Sequence, residues 1–197
     1  MPTLIKHRVN TIAELQILPP KLGAEIDLRS HAKKIILSHD PYQPGDLLST
    51  YLQLWSANQQ RGTLVLNTKE DGLETDALVL LKKNGITDFF FLDLSLPTTV
   101  KLAARQKMEK VAVRVSEYEP PEAALKFATL AQWVWLDCFS PRPPQAEVIA
   151  TLRGKFKICL VSPELQSHPP GLLPEFLKLA AQVDAICTKA PHSWQGS

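Results

Sequence analysis

The chain has 197 residues, of which 45% are hydrophobic and 21% charged, so it can bury one sizeable core but not two. Its 22 basic and 20 acidic residues give a net charge of +2, which excludes a general electrostatic attraction to nucleic acid or anionic membranes. The apolar stretches are shorter than the roughly 20 residues of a membrane span. We therefore expect a single domain over residues 1–197, with no nucleic-acid partner and no membrane span.

The cysteines and the first residues of the chain indicate the cellular compartment. Cys138, Cys159 and Cys187 lie in separate apolar runs. An odd number without close spacing predicts buried, reduced thiols rather than a zinc site or a disulfide framework. The opening residues, MPTLIKHRV, lack the apolar core of a signal peptide. These features predict a cytoplasmic protein.

Short apolar runs typical of β-strands alternate with amphipathic, helix-like stretches. In chain order the predicted strands are residues 4–9, 23–29, 62–69, 88–95, 110–117, 133–139, 156–162 and 183–189. An extra extended piece, residues 35–41, follows the second strand through a turn at 30–34. The helix-like stretches include residues 71–85, 96–107, 121–131, 143–154 and 172–182, where apolar residues recur at intervals of three and four.

The residues between these runs support the same assignment. Prolines follow several strands, where the first turn of a helix tolerates them, and Gly85 and Gly154 lie where helices should end. Strands that alternate with helices predict a parallel sheet, and eight such units favour an α/β fold of the compact (β/α)8 TIM-barrel type with short loops. An open doubly wound sheet is the alternative, although HRVNT replaces a glycine-rich loop after the first strand.

Two carboxylates on the second predicted strand stand out among apolar neighbours. Glu25 and Asp27 are two residues apart and therefore point to the same face. Two like charges in one buried position need a positive partner. Their spacing alone leaves two equal alternatives, which are a hard divalent cation and a salt-bridge cluster with Lys69, Arg8 or Arg114.

Three motifs in the first 41 residues together resemble the glycerophosphodiester phosphodiesterase family. They are His-Arg at 7–8, Glu-x-Asp at 25–27 and His-Asp-Pro at 39–41, and the family has His-Arg-Gly, Glu-x-Asp and His-Asp in this order. The segment VDAICTKAP (183–191) is similar to the family's last strand, V-D-G-I-x-T-D-x-P. The motif-level resemblance covers the first 70 residues and the last strand, and elsewhere only the strand–helix rhythm matches.

The resemblance implies a (β/α)8 barrel that hydrolyses a small glycerophosphodiester- or sugar-phosphate-like substrate with one divalent cation, Mg²⁺ or Ca²⁺. It also implies roles for individual residues. The acid and base would be His7 and His39, the phosphate ligands Arg8 and Lys69, and the metal ligands Glu25, Asp27 and Asn67, with Glu117 as a substitute third carboxylate.

The chain departs from the family pattern in three places. Val9 replaces the glycine after His-Arg, and the loop that follows is cut to Asn10-Thr11. Asn67 stands where the family's third strand has a glutamate, so the predicted metal site loses a charge. The insertion after His-Asp is reduced to residues 42–45.

These departures keep two other functions open. One is a catalytically impaired barrel that binds a phosphate ligand or acts as an interaction protein. The other is a metal-independent cyclising phosphodiesterase, similar to bacterial phosphatidylinositol-specific phospholipase C, which Arg114 beside the carboxylates would favour.

Two further expectations concern the outside of the barrel. Trp133 and Trp135 are predicted to pack between the barrel and its helices. The tail APHSWQGS (190–197) leaves no helix after the eighth strand, so we expect a partner subunit to cover that wall in a homo-oligomer.

Overall fold

A computed structural model describes residues 1–194. Its strands are β1 (Thr3–Lys6), β2 (Gly23–His31), β3 (Lys34–Leu37), β4 (Asp46–Leu47), β5 (Leu64–Thr68), β6 (Phe89–Leu92), β7 (Ala112–Val115), β8 (Trp133–Leu136), β9 (Lys157–Val161) and β10 (Ala185–Thr188). The α-helices are α1 (Ile12–Ile17), α2 (Leu48–Ala57), α3 (Glu74–Lys83), α4 (Leu96–Val100), α5 (Pro121–Leu125), α6 (Ala146–Leu152) and α7 (Leu173–Leu177). A π-helical turn, Lys101–Arg105, continues α4.

Eight parallel strands form a barrel in chain order, so the predicted fold is confirmed. The pairs are β1–β2, β2–β5, β5–β6, β7–β8, β8–β9, β9–β10 and β10–β1. Between β6 and β7 the pairing is reduced to one parallel bridge, Phe91–Val111. The last strand pairs with the first from Thr3–Ala185 to Lys6–Thr188, which excludes the open doubly wound alternative.

Local sequence signals explain several element ends. Thr11 caps α1 with its hydroxyl and receives the Glu14 side chain in return, which forms a capping box. Gly85 (φ +66°) and Gly154 (φ +77°) follow α3 and α6 in the left-handed conformation that glycine adopts readily, as predicted. The helices of the second half are only one to two turns long, and this keeps the barrel compact.

The barrel interior is filled by a cluster that includes Trp133 and Trp135, so their predicted position outside the barrel is wrong. Both side chains are 4% exposed, and the Trp133 ring stacks on Phe90 with centroids 4.6 Å apart. The reason lies in volume, because the neighbouring inward positions hold small residues such as Cys159 and Ala185. Two indoles fill the space that these small side chains leave.

A hairpin extends β2 beyond the barrel. The chain turns through Ala32 and Lys33, both at positive φ, into β3, which pairs antiparallel with β2 from His31–Lys34 to Leu28–Leu37. The predicted extra piece is therefore a strand only up to Leu37. The Ser38 N–H then donates to the carbonyl oxygen of Asp27, in the middle of β2, at 3.0 Å, which anchors the following residues beside the carboxylates.

The cysteines and Trp194, near the end of the chain, are buried in the fold. All three cysteines are buried and free, as predicted. Trp194 is 3% exposed and its Nε1 donates to the Ser162 Oγ at 3.1 Å, so the tail itself covers part of the wall after β10. The expected partner subunit stays a prediction, and residues 195–197 lie outside the described part. No helix within residues 1–194 is long and apolar enough to cross a membrane.

Candidate active site

The site lies at the carboxyl ends of three neighbouring strands, where a parallel barrel has its active site. His7 follows β1, Glu25 and Asp27 lie on β2, and Asn67 lies on β5 directly beside Asp27 in the parallel register. The hairpin returns His39 to the same place. The structure thus brings together residues that are up to 60 positions apart in the sequence.

Glu25 is fully buried and surrounded by polar groups. Its Oε2 accepts a hydrogen bond from the Arg8 backbone N–H at 2.8 Å, and its Oε1 accepts one from Asn67 Nδ2 at 2.8 Å. His7 Nε2 lies 3.7 Å from Oε2. Burial, and secondly the charge of Asp27, raise the pKa of Glu25 to about 7 against these hydrogen bonds. The buried pocket therefore disfavours the charged form of Glu25.

Lys69 is the main positive partner of the second carboxylate. Asp27 is fully buried, and its Oδ1 lies 3.0 Å from Lys69 Nζ. Its Oδ2 accepts a hydrogen bond from Asn10 Nδ2 at 2.7 Å, and Arg8 Nε is 3.9 Å away. The Asn10 Oδ1 also accepts a hydrogen bond from the Asp27 backbone N–H at 2.8 Å, so this asparagine fixes both the carboxylate and the backbone of Asp27. In the sequence, Asn10 stands out only as part of a shortened loop.

Arg114, the alternative partner, belongs to another cluster at the barrel mouth. Its guanidinium is hydrogen-bonded to Asp93 and Asp137, and its Nε lies 3.9 Å from Glu119. Within residues 1–194 it forms no ion pair with Glu25 or Asp27. The arrangement that would favour a metal-independent mechanism is therefore not formed.

Glu117 holds a loop. Its carboxylate accepts hydrogen bonds from the backbone N–H groups of Phe139 (3.0 Å) and Ser140 (2.9 Å) and from the Ser140 hydroxyl. Slight desolvation raises its pKa, but these hydrogen bonds prevail and lower it to about 2. Its predicted role as a third metal ligand is supported by no contact among the described residues.

The donor set at the site suits a hard cation, although with few charges. Among residues 1–194 no cluster of three or more His, Cys, Asp or Glu side chains is arranged to hold a metal. However, the Asn67 Oδ1 is buried without a hydrogen-bond partner there, beside two fully buried carboxylates. Carboxylate and amide oxygens are ligands that Mg²⁺ and Ca²⁺ prefer. Glu25, Asp27 and Asn67 therefore fit such an ion with two negative charges and one neutral oxygen.

His7 is a neutral imidazole at pH 7. Burial, and secondly the positive charge of Arg8, lower the pKa of His7 to about 4. The negative charge of Asp27 acts in the opposite direction and is outweighed. Its Nδ1 is buried and has no hydrogen-bond partner in residues 1–194. A neutral histidine at the edge of the pocket can accept a proton, as a general base must.

His39 is held from two sides of its ring. Its Nε2 lies 2.6 Å from an Arg8 guanidinium nitrogen, and its Nδ1 lies 2.8 Å from Asp40 Oδ1. Arginine can only donate, so Nε2 carries the lone pair and Nδ1–H donates to Asp40 in this tautomer. Arg8 has φ +54°, so the backbone turns there, while Val9 is buried in ordinary geometry. The left-handed backbone position is therefore Arg8, one residue before the valine that replaces the glycine of the family pattern.

Arg29 fixes the backbone of His39, a role that the sequence analysis missed. Its Nε and one terminal nitrogen donate to the His39 carbonyl oxygen at 3.1 and 3.0 Å. The signal was present, because Arg29 continues the two-residue spacing of Glu25 and Asp27 on one face of β2. Only the hairpin reveals what this side chain reaches.

We expect Arg29→Gln to lower kcat for phosphodiester hydrolysis about tenfold or more with little change in KM. The reason is that His39 loses the donors that fix its carbonyl, and small misplacements of a catalytic group are costly. Arg29→Lys should restore part of the rate, and the exposed Arg61→Gln serves as the control. A rise in KM at constant kcat would contradict the positioning role.

The raised pKa of Glu25 predicts a pH-dependent stability in the absence of divalent cations. Because the folded pKa of about 7 exceeds the ordinary 4.5, the protonated carboxyl favours the folded state, and this contribution is lost as the pH rises through that interval. Urea midpoints in EDTA should therefore show wild type losing stability relative to Glu25→Gln between these pH values. Glu175→Gln, on the exposed face of α7, should show no such trend. A constant difference for Glu25→Gln would contradict the shift.

Comparison with known proteins gives a clear answer for the fold. No family model and no curated protein matches the sequence. A glycerophosphodiester phosphodiesterase from Agrobacterium tumefaciens superposes with a TM-score of 0.68 at 14% identity, over 98% of this chain and 99% of that one. One from Parabacteroides distasonis gives 0.66 at 12%, over 98% and 85%. An Oleispira antarctica phosphodiesterase in complex with the product sn-glycerol-3-phosphate gives 0.63 at 20%, over 99% and 96%.

The chain has the fold of the glycerophosphodiester phosphodiesterases. At these identities the likeness concerns the fold, and it agrees with the resemblance found in the motifs. The two observations are independent, since the superpositions cover the whole barrel whereas the motifs occupy its first strands and its last.

Proposed function

We propose that the protein hydrolyses a small phosphodiester with His7 and His39 as its proton-transfer groups. The observation that carries the proposal is the convergence of two histidines and Arg8 over a buried pair of carboxylates at the mouth of the barrel. Phosphodiester hydrolysis is the activity for which the three proteins of similar fold described above are named.

The contacts support a division of roles. Neutral His7 accepts a proton from the attacking water, a new P–O bond forms, and the bond from phosphorus to the leaving oxygen breaks. His39 first takes up a proton from solvent at Nε2, while its Nδ1–H stays on Asp40, and it then delivers the Nε2 proton to that leaving oxygen. Arg8 must leave Nε2 for this step, and a bound phosphate gives its guanidinium a stronger, bidentate acceptor. Lys69, which is 18% exposed beside Asp27, adds a positive charge that attracts the phosphate.

We infer that Glu25, Asp27 and Asn67 hold a divalent cation, Mg²⁺ or Ca²⁺. A bound cation supplies Lewis-acid polarisation of the phosphoryl oxygen. The complete burial of both carboxylates, the disfavoured charge of Glu25 and the unpaired Asn67 Oδ1 support this assignment. The Oleispira neighbour's product, sn-glycerol-3-phosphate, makes a glycerophosphodiester or a similar sugar-phosphate diester the first substrate class to test.

A second candidate function is a phosphate-binding protein without turnover. The specific observation is Asn67, which gives the site only two charged ligands for a cation. Such a protein would keep Arg8 and Lys69 for the anion and would not need both histidines.

The test is hydrolysis of bis(p-nitrophenyl) phosphate and of glycerophosphodiesters with Mg²⁺, Mn²⁺ or Ca²⁺, compared with EDTA. We expect cation-dependent turnover together with a cation-dependent rise in Tm. Turnover that EDTA leaves unchanged would overturn the cation assignment. Glycerol 3-phosphate binding without any turnover would support the second candidate function instead.

A further inference from the structure

Lys189 lies beside His7 on the inner face of the barrel mouth. Ile5 of β1 and Cys187 of β10 are partners in the parallel register, and both belong to the interior cluster. His7 and Lys189 directly follow the last residues of these two strands, and the His7 N–H donates to the Thr188 carbonyl oxygen at 2.9 Å, so the register of Ile5 and Cys187 places both on the inner side of the barrel mouth. The ammonium group of Lys189 is therefore carried by the strand next to the imidazole of His7.

The backbone of Lys189 is fixed on both sides. Its N–H donates to Glu164 Oε1 at 2.9 Å, and its carbonyl oxygen accepts a hydrogen bond from Lys6 Nζ. The same Glu164 oxygen accepts from the Thr188 hydroxyl at 2.6 Å. The side chain is exposed, but its starting point and direction are set by these bonds and by the strand register.

Of the cations around His7, Lys189 has no negatively charged partner among the described residues. Arg8, Lys69 and Lys189 are the three cations whose charge acts on the His7 ring. Arg8 contacts His39 and lies near Asp27, and Lys69 is paired with Asp27. In contrast, the Lys189 ammonium makes no ion pair or hydrogen bond within residues 1–194. Among the described residues this cation is therefore unpaired at the entrance, and only β1 separates its strand from the one that carries the carboxylates.

We propose that Lys189 binds a second anionic group of the substrate, a phosphomonoester or a carboxylate on the alcohol that flanks the phosphodiester on the β10 side of His7. This proposal rests on the proposed function. A diester phosphate has a single negative charge, which Arg8 and the site beneath it already balance. The additional cation therefore selects a substrate with more charge than a simple glycerophosphodiester, such as a diester of a phosphorylated or carboxylated polyol.

Two product-like probes of nearly equal size test this selection. Glycerol 3-phosphate has one anionic group, whereas 3-phosphoglycerate has a carboxylate in place of a hydroxymethyl group. We would measure both affinities by titration calorimetry at a fixed Mg²⁺ concentration, for wild type, Lys189→Gln and Lys189→Arg. Lys178→Gln, an exposed position after α7, removes the same charge elsewhere and serves as the control.

We expect wild type, Lys189→Arg and Lys178→Gln to bind 3-phosphoglycerate about tenfold more tightly than glycerol 3-phosphate. Lys189→Gln should lose this preference and keep its affinity for glycerol 3-phosphate within about twofold. Equal affinities in wild type would overturn the proposal and leave the proposed function intact, as would an equal loss for both probes in Lys189→Gln. If wild type bound neither probe, the proposed function and this inference would both be wrong.

Discussion

Replacement of either histidine by alanine should lower kcat for phosphodiester hydrolysis by a factor of about 10² to 10⁴, which is the usual contribution of a general acid or base. The reason is that His7 lies beside the buried carboxylates and His39 beside the Arg8 guanidinium, so each imidazole is placed for its own proton transfer. The measurement is steady-state hydrolysis of bis(p-nitrophenyl) phosphate and glycerophosphodiesters with saturating Mg²⁺ or Ca²⁺.

The matched control is His31→Ala, because His31 is exposed at the far end of the hairpin strand. It should leave both kcat and KM unchanged. Glycerol 3-phosphate affinity separates the candidate functions, since a catalytic role for His39 predicts that His39→Ala still binds the product while it loses turnover. Equal rates for wild type and His39→Ala would contradict the two-histidine mechanism and favour a binding protein.

The second large effect concerns Asn67. Asn67→Asp places a third carboxylate where the amide now donates to Glu25 at 2.8 Å. Without a divalent cation the variant should be less stable than wild type, because three buried carboxylates repel each other. With Ca²⁺ or Mg²⁺ it should bind the ion on the order of tenfold more tightly, since ligand charge raises the affinity for hard cations.

Calorimetric titration of the ion and Tm with and without EDTA give two readouts that do not depend on turnover. Gln53→Glu, which adds the same charge on the exposed face of α2, should change neither the affinity nor the cation-induced rise in Tm. An Asn67→Asp protein that loses stability in EDTA and gains none from the ion would exclude these residues as a metal site.

Much of the fold follows from local patterns in the sequence. The eight predicted strands overlap the eight barrel strands because parallel strands buried on both faces are apolar throughout and stand out between polar turns. Gly85 and Gly154 end helices because they occupy positive φ at no steric cost. Trp133 and Trp135 were misplaced, since alternation along a strand shows which residues share a face and leaves open which face points inward.

In the candidate site, too, the sequence predicted some features and left others to the tertiary structure. The sequence by itself determined that Glu25 and Asp27 share a face, that two charges buried there need a positive partner, and that the surrounding motifs resemble those of phosphodiesterases. The tertiary structure alone decided that the partner is Lys69 and that Arg114 belongs to another cluster. The physical reason is that ion pairs and hydrogen bonds depend on the distance between side chains, which is set by strand register and by the hairpin that carries His39. The strand register and the path of the hairpin cannot be read from the spacing of residues along the chain.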